Sequence, residues 1–300
     1  MHPTFQIYPE VAQFIAYLQF EKRYSKHTIT AYQTDLEQFF VFLVSQYEAP
    51  NVADIAPSFV KSWLAELKQD AIAAKSLRRK ISSLNAFFKF LIRRELLQSN
   101  PMTNIHSPKI PKRLPQFVDV AHMQTLLHEV VFSDDWQGKT EKLVLQLFYE
   151  TGIRLSELIQ LQESQVDTAY AQIKVLGKGN KERILPISRQ ILAQLQDYLA
   201  EKKVLQLTCT HVFVTPKNKP LQPRSVYAFV HYRLAQVTTI TQKSPHILRH
   251  TFATHLMNEG APLGAVKELL GHSSLASTQV YTHNTIEKLK DVFKKAHPKA

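Results

Sequence analysis

Four prolines within fifteen residues divide this chain. In the stretch NPMTNIHSPKIPKRLP, Pro101, Pro108, Pro111 and Pro115 each remove a backbone donor and fix φ, so neither a helix nor a sheet ladder can run through. Residues 101–115 therefore read as a linker, which in a polyproline-like state reaches roughly 45 Å. With 300 residues, 44% of them hydrophobic, the chain is long for one domain, comfortable for two, and too apolar for wholesale disorder.

Residues 1–100 read as helices. Ile29, Tyr32, Leu36, Phe39, Phe40 and Leu43 recur on one helical face, with Ser25 or Thr28 placed to cap its start. Pro57 suits the first turn of a second helix through Trp63, Leu64 and Leu67. A third begins near Ser76. Its apolar face carries Leu77, Ile81, Leu84, Phe88 and Leu91, and the opposite side carries Arg78, Ser82, Asn85, Lys89 and Arg93. Such a stripe is ordinarily a solvated face, although these residue types also suit phosphate contact.

Residues 116–300 are mixed. Helical patterns occupy about 119–131, 140–150 and 154–161. Alternation at Ile173 and Val175, a turn at Gly177-Lys178-Gly179-Asn180, then Ile184, Leu185 and Ile187 predict a β-hairpin over 171–187. Helices follow at 188–203, 222–236 and 246–258, with shorter ones near 262–270 and 274–280. A last helix is expected to carry Ile286, Leu289 and Phe293. The fold class is mainly α with a small antiparallel β-sheet.

The net charge of +12 and a pI near 9.6 point to a polyanionic partner. Cys209 is the one cysteine. It excludes an internal disulfide and suits a reducing cytoplasm. No apolar run approaches the roughly 20 residues that span a bilayer, and the first residues, with Glu10, do not make a signal peptide. A soluble cytoplasmic protein is expected.

Four segments carry chemistry-bearing residues. In TGIRLSEL, Arg154 and Glu157 stand three apart, a spacing that on a helix makes neighbours and by itself means a surface ion pair. In GKGNKER, two glycines flank Lys178, with Lys181 and Arg183 following; a bare GxG is a weak phosphate signal, and a hairpin turn is the plainer reading. In HILRHTFATH, His246 and Arg249 are followed by His250 and His255. The spacing of His246 and His250 also suits zinc, but no third ligand stands near and Arg249 repels a cation, so no metal is expected. The last pairs His272 with Tyr281, nine residues on.

Taken in order, R…K…H-x-x-R…H…Y resembles the tyrosine recombinase family, also called the phage integrase family. The wording TGIRLSEL, GKGNKERILPI, HILRHTFATHL and LLGHSSLASTQVYTH is close to it, as are YSKHTITAYQTDLEQFF and SLRRKISSLNAFFKFL near the N-terminus. The chain is most similar to two-domain Xer recombinases. The resemblance implies a helical core-binding domain over 1–100, the linker 101–115, and a catalytic domain with a tail helix over 116–300, closing on duplex DNA as a clamp.

It also implies roles. Tyr281 would be the nucleophile, and Arg154 and Arg249 would clamp the scissile phosphate through planar guanidiniums. Lys178 would protonate the leaving 5′ oxygen. His246 and His272 would donate to the phosphate or tune proton traffic. Glu157 would orient the set by bracing Arg154, and Arg78, Lys89, Lys181 and Arg183 would contact the DNA backbone. A phosphotyrosine conserves the bond energy, so no cofactor is needed. The implied partners are double-stranded DNA, related recombinase subunits in a tetramer that exchange tails, a sister Xer protein and a septal DNA translocase. The implied task is resolving chromosome dimers at a terminus site during cell division. A mobile-element or phage integrase is the alternative within the family. A type IB topoisomerase shares the chemistry, and a DNA-binding regulator would need no nucleophile.

Overall fold

The computed structural model describes residues 4–109, 116–177 and 182–271. The rest of the linker, the hairpin turn around Lys178, the helix expected near 274–280 and the tail helix lie outside the described residues. The chain divides into two compact units, Met1–Arg113 and Leu114–Ala300, each with its own core.

In the first unit, two short helices, α1 (Thr4–Ile7) and α2 (Pro9–Ala16), run into a π-helical turn over Tyr17–Glu21. Three longer helices follow, α3 (Lys26–Tyr47), α4 (Pro57–Gln69) and α5 (Ala74–Arg93). Ser25 caps α3, its Oγ accepting from the Thr28 N–H at 3.3 Å, and Pro57 sits in the first turn of α4. Leu36, Phe39, Phe40 and Leu43 of α3 are buried, with Ile29 and Tyr32 packed against them. On α5, Arg78, Ser82, Lys89 and Arg93 are exposed and Asn85 is half-buried, which is the predicted polar side. The buried arc is wider than predicted. Phe87 and Phe90 are also inside, each packing against Phe14 of α2.

A polar cluster between α3 and α5 went unpredicted. Asp35 is fully buried and accepts from Arg79, from Lys80 Nζ at 3.2 Å and from Ser83 Oγ at 2.8 Å. A buried carboxylate is tolerable only when charged partners and donors satisfy it.

The second unit contains α6 (Val120–His128), α7 (Trp136–Thr151), α8 (Leu155–Ile159), β1 (Val166–Asp167), β2 (Gln172–Leu176), β3 (Glu182–Pro186), α9 (Arg189–Val204), α10 (Pro223–Ala235), α11 (Pro245–Asn258) and α12 (Leu263–Leu270). The three strands form an antiparallel meander, β1-β2-β3, with Ile173 opposite Leu185 and Val175 opposite Arg183. The predicted hairpin is β2-β3. β1 is an addition, since two residues show no period to read. Helix α7 is the centre of the core, with Val144, Leu145, Leu147 and Phe148 fully buried, and it packs against α11 and α9. A smaller apolar cluster, including Phe252, Leu256, Val266 and Leu269, holds α12 on α11. Among the described residues, no helix is long and apolar enough to cross a membrane.

Candidate active site

The site begins where α7 stops. Gly152 ends that helix in the left-handed region at φ +59°, a conformation glycine adopts without steric cost. A methyl group there would lie 2.4 Å from Cδ1 of Phe252 on α11. The missing side chain thus lets the end of α7 touch α11.

Two residues later, Arg154 is the extended N-cap of α8 and Glu157 is the third residue of its first turn. The Glu157 carboxylate reaches back to accept from the Arg154 backbone N–H at 2.9 Å and from Arg154 Nη1 at 2.8 Å. The three-residue spacing is therefore a helix-start geometry, tighter than the surface ion pair it suggested.

Arg183 joins the pair from β3. Its Nη1 donates to Glu157 Oε1 and its Nη2 to Oε2 at 2.6 Å, a two-pronged match of guanidinium to carboxylate. Its Nε donates to the Leu269 carbonyl at 3.3 Å. This corrects the expectation that Arg183 contacts a DNA backbone, because its side chain is 4% exposed and every guanidinium nitrogen is engaged. The signal was in the strand: alternation puts Arg183 on the same inward face as buried Leu185 and Ile187.

Arg249, on α11, is also buried. Its Nη1 donates to the Gly152 carbonyl and its Nη2 to that of Leu270. Arg154 Nη2 donates to the Gly271 carbonyl at 2.9 Å. Arg183, Arg249 and Arg154 thus cap the consecutive carbonyls of residues 269, 270 and 271, at the negative end of α12. These three carbonyls and Gly152 escaped sequence reading, since a backbone carbonyl carries no residue signature.

The electrostatics follow. Three guanidiniums and one carboxylate share the site, two of the three bonded to the carboxylate, leaving a surplus of two positive charges. Burial would raise the Glu157 carboxyl, but the hydrogen bonds and charge of Arg183, then Arg154, outweigh it and hold Glu157 below the usual carboxylate range. Burial, then repulsion from Arg154 and Arg183, pulls Arg249 down to about 9 against the opposing pull of Glu157. Arg154 remains 30% exposed, so the cationic group opens to solvent on its side. Such a group takes an anion with several acceptor oxygens.

His246, in the first turn of α11, is exposed. His250, one turn on, is held below the usual imidazole range by burial and then by His246. Among the described residues, no three His, Cys, Asp or Glu side chains gather as a metal site would require. His255 is buried, with Nδ1 3.1 Å from the Tyr149 hydroxyl and Phe117 edge-on to its ring. Arg78 and Lys89 are exposed on the first unit. Lys178, Lys181, His272 and Tyr281 lie outside the described residues.

Two family models match the chain. The "Phage integrase family" model covers residues 116–288, and the "Phage integrase, N-terminal SAM-like domain" model covers residues 11–95. The chain is 36% identical over 297 residues to tyrosine recombinase XerC of Halalkalibacterium halodurans, covering 97% of both chains. It is 38% identical over 292 residues to tyrosine recombinase XerC of Bacillus licheniformis, covering 96% of this chain and 95% of the relative. Among solved structures, the XerH site-specific recombinase bound to palindromic difH substrate aligns with a TM-score of 0.68 at 20% identity, over 88% of this chain and 78% of that one. The Tn1549 transposon integrase in complex with circular intermediate DNA aligns with a TM-score of 0.66 at 19% identity, over 93% and 98%. At those identities the structural likeness speaks for the fold.

Proposed function

The chain belongs to the phage integrase family of site-specific tyrosine recombinases, and from that premise we propose how its residues cut and rejoin DNA. Arg154 and Arg249 hold the two non-bridging oxygens of the scissile phosphate. The Tyr281 phenol oxygen attacks phosphorus and passes its proton to solvent as the bond to the 5′ oxygen breaks. Lys178 supplies a proton to that leaving oxygen, producing a 3′-phosphotyrosine and a free 5′-hydroxyl. His246 and His272 donate hydrogen bonds to the phosphate, and Glu157 orients Arg154. Rejoining runs the same bonds in reverse on the partner strand, with no outside energy source and no metal or other cofactor. The observation that supports this most is the meeting of Arg154 and Arg249, from separate helices, on the adjacent carbonyls of Gly271 and Leu270, with positive charge in excess.

Around this chemistry we place Arg78, Lys89 and Lys181 on the DNA backbone, a core-binding domain over 1–100, a linker over 101–115 and a catalytic domain over 116–300. Double-stranded DNA is the substrate. Four protomers assemble on two sites and exchange tails, with a sister Xer protein as co-subunit and a septal DNA translocase as activator, in the cytoplasm. The task is conversion of chromosome dimers to monomers at a terminus site. Full-length similarity to proteins named XerC supports it. Integration of a mobile element is the second reading, which the likeness to the Tn1549 transposon integrase keeps in view.

Incubation with nicked duplexes carrying candidate terminus sites tests the chemistry. The wild-type protein is expected to form an adduct resistant to denaturant. Tyr281→Phe is expected to bind the same duplexes and form none, and an adduct with Tyr281→Phe would refute the assignment. Recombination of two terminus sites, against recombination of an element end with an unrelated target, separates the two tasks.

A further inference from the structure

The β3 strand brings a third arginine into the site, and no demand of the proposed reaction calls for it. Arg183 does not face solvent. It spends two guanidinium nitrogens on Glu157 and the third on the Leu269 carbonyl. Glu157 in turn holds both the backbone and the guanidinium of Arg154. The next two carbonyls, of Leu270 and Gly271, receive Arg249 and Arg154. Gly271 lies against the Arg183 stem, where an added methyl would stand 3.1 Å from Cδ. Arg183 thus holds both oxygens of the orienting carboxylate and, from a buried position, the end of α12 on which Arg154 and Arg249 also rest.

We propose that Arg183 is a positioning residue for the phosphate clamp: by locking Glu157 against the end of α12, it makes Arg154 and Arg249 present their remaining N–H groups to one phosphate. This rests on the reading of Arg154 and Arg249 as that clamp. The physical case is geometric. A guanidinium carries five N–H donors, and two nitrogens of Arg154 and two of Arg249 are already tied to fixed acceptors. Tying them fixes both planes while leaving other protons unspent. A lysine at 183 keeps the charge but cannot span two carboxylate oxygens and a carbonyl at once.

The test compares wild type, Arg183→Lys, Arg183→Met, Glu157→Gln and the double variant Arg183→Lys/Glu157→Gln. Adduct formation on a nicked duplex is measured at saturating DNA, with DNA affinity, affinity for inorganic phosphate and thermal unfolding alongside. Arg183→Lys is expected to remain folded and to bind DNA within about twofold of wild type, yet form adduct about a hundredfold more slowly, the scale of loss expected when a reacting group is misplaced by about 1 Å. Its phosphate affinity should fall about tenfold, the loss of one charge-assisted bond in energy. The double variant should be no slower than the slower single variant, since both act through one contact. Arg183→Lys keeps the test decisive should Arg183→Met fail to fold. Adduct formation at the wild-type rate in Arg183→Lys, losses that multiply in the double variant, or a fall in cleavage matched by equal falls in DNA affinity and thermal stability would overturn the proposal. A wild-type protein that forms no adduct, while phosphate affinity still falls in Arg183→Lys, would sink the recombinase assignment of these residues and leave the brace standing.

Discussion

Substituting Gly152 by alanine probes the joint on which the site is built. Gly152 sits at φ +59°, where an L side chain costs about 1–2 kcal/mol. The new methyl would also lie 2.4 Å from Cδ1 and 2.9 Å from Cε1 of Phe252, and 3.0 Å from Cδ2 of Leu270. Phe252 is 1% exposed and cannot swing into solvent, so overpacking adds about 1–3 kcal/mol. Together the second unit should lose about 2–5 kcal/mol. Because Arg249 leans on the Gly152 carbonyl and on that of Leu270, the displacement should also loosen that guanidinium. The assay is urea unfolding followed by tryptophan fluorescence. Trp63 and Trp136 are the two tryptophans, one in each unit, so a Trp63→Phe background leaves Trp136 to report on the second. Phe252→Leu, made in the Gly152→Ala background, should return part of the steric share and none of the backbone share. A loss below about 1 kcal/mol, smaller than the backbone cost alone, or an alanine variant indifferent to Phe252→Leu, would refute the reasoning.

Three further outcomes are expected. Arg249, pulled down to about 9 by burial and by its arginine neighbours, should lose its proton well below the pH at which a free arginine does. Affinity for inorganic phosphate, measured calorimetrically, should therefore fall as pH rises through about 9. Stability should move the opposite way: the unfolded chain keeps this proton longer, so the penalty of burying the cation lifts as pH climbs above the folded value. Glu157→Gln removes the one carboxylate among three guanidiniums. It should cost about 3–5 kcal/mol in chemical unfolding, as breaking a buried pair does. It should also remove the part of the acid sensitivity that comes from the depressed Glu157, whose contribution is present above the ordinary carboxylate range and lost as pH falls through its lowered value. Arg78→Gln and Lys89→Gln, on the exposed side of α5, should each reduce the salt dependence of duplex binding by about one ion, seen in filter binding across a salt series, with adduct formation at saturating DNA unchanged.

How far the sequence could be read depended on whether a residue's surroundings are local. The face of α3 through Leu36, Phe39 and Leu43 was legible because its partners recur at helical spacing, and the Ser25 cap because its acceptor bonds only three residues away. Strand β1 was not, being too short for a period. Asp35 stands among the apolar positions of α3, and nothing nearby in sequence announces that Lys80 and Ser83, about 45 residues on, complete it. The polar side of α5 was placed correctly, while its buried arc was underestimated because Phe14 comes from another helix.

The same division holds at the site. Residue order alone established the family, since the motifs around Arg154, Lys178, Arg249 and Tyr281 are runs of adjacent residues whose spacing survives without any fold. It also held the three-residue step from Arg154 to Glu157, because a helix start is built from neighbours in the chain. Only the tertiary structure decided that Arg183 turns inward to grip Glu157, and that the carbonyls of residues 269–271 become a common rest for three arginines. The reason is physical. Those acceptors are backbone atoms, identical at every position, and a guanidinium finds them across 86 residues of chain from β3 and across 117 from Arg154. Their place in space is set by how α7, α11 and α12 pack on one another.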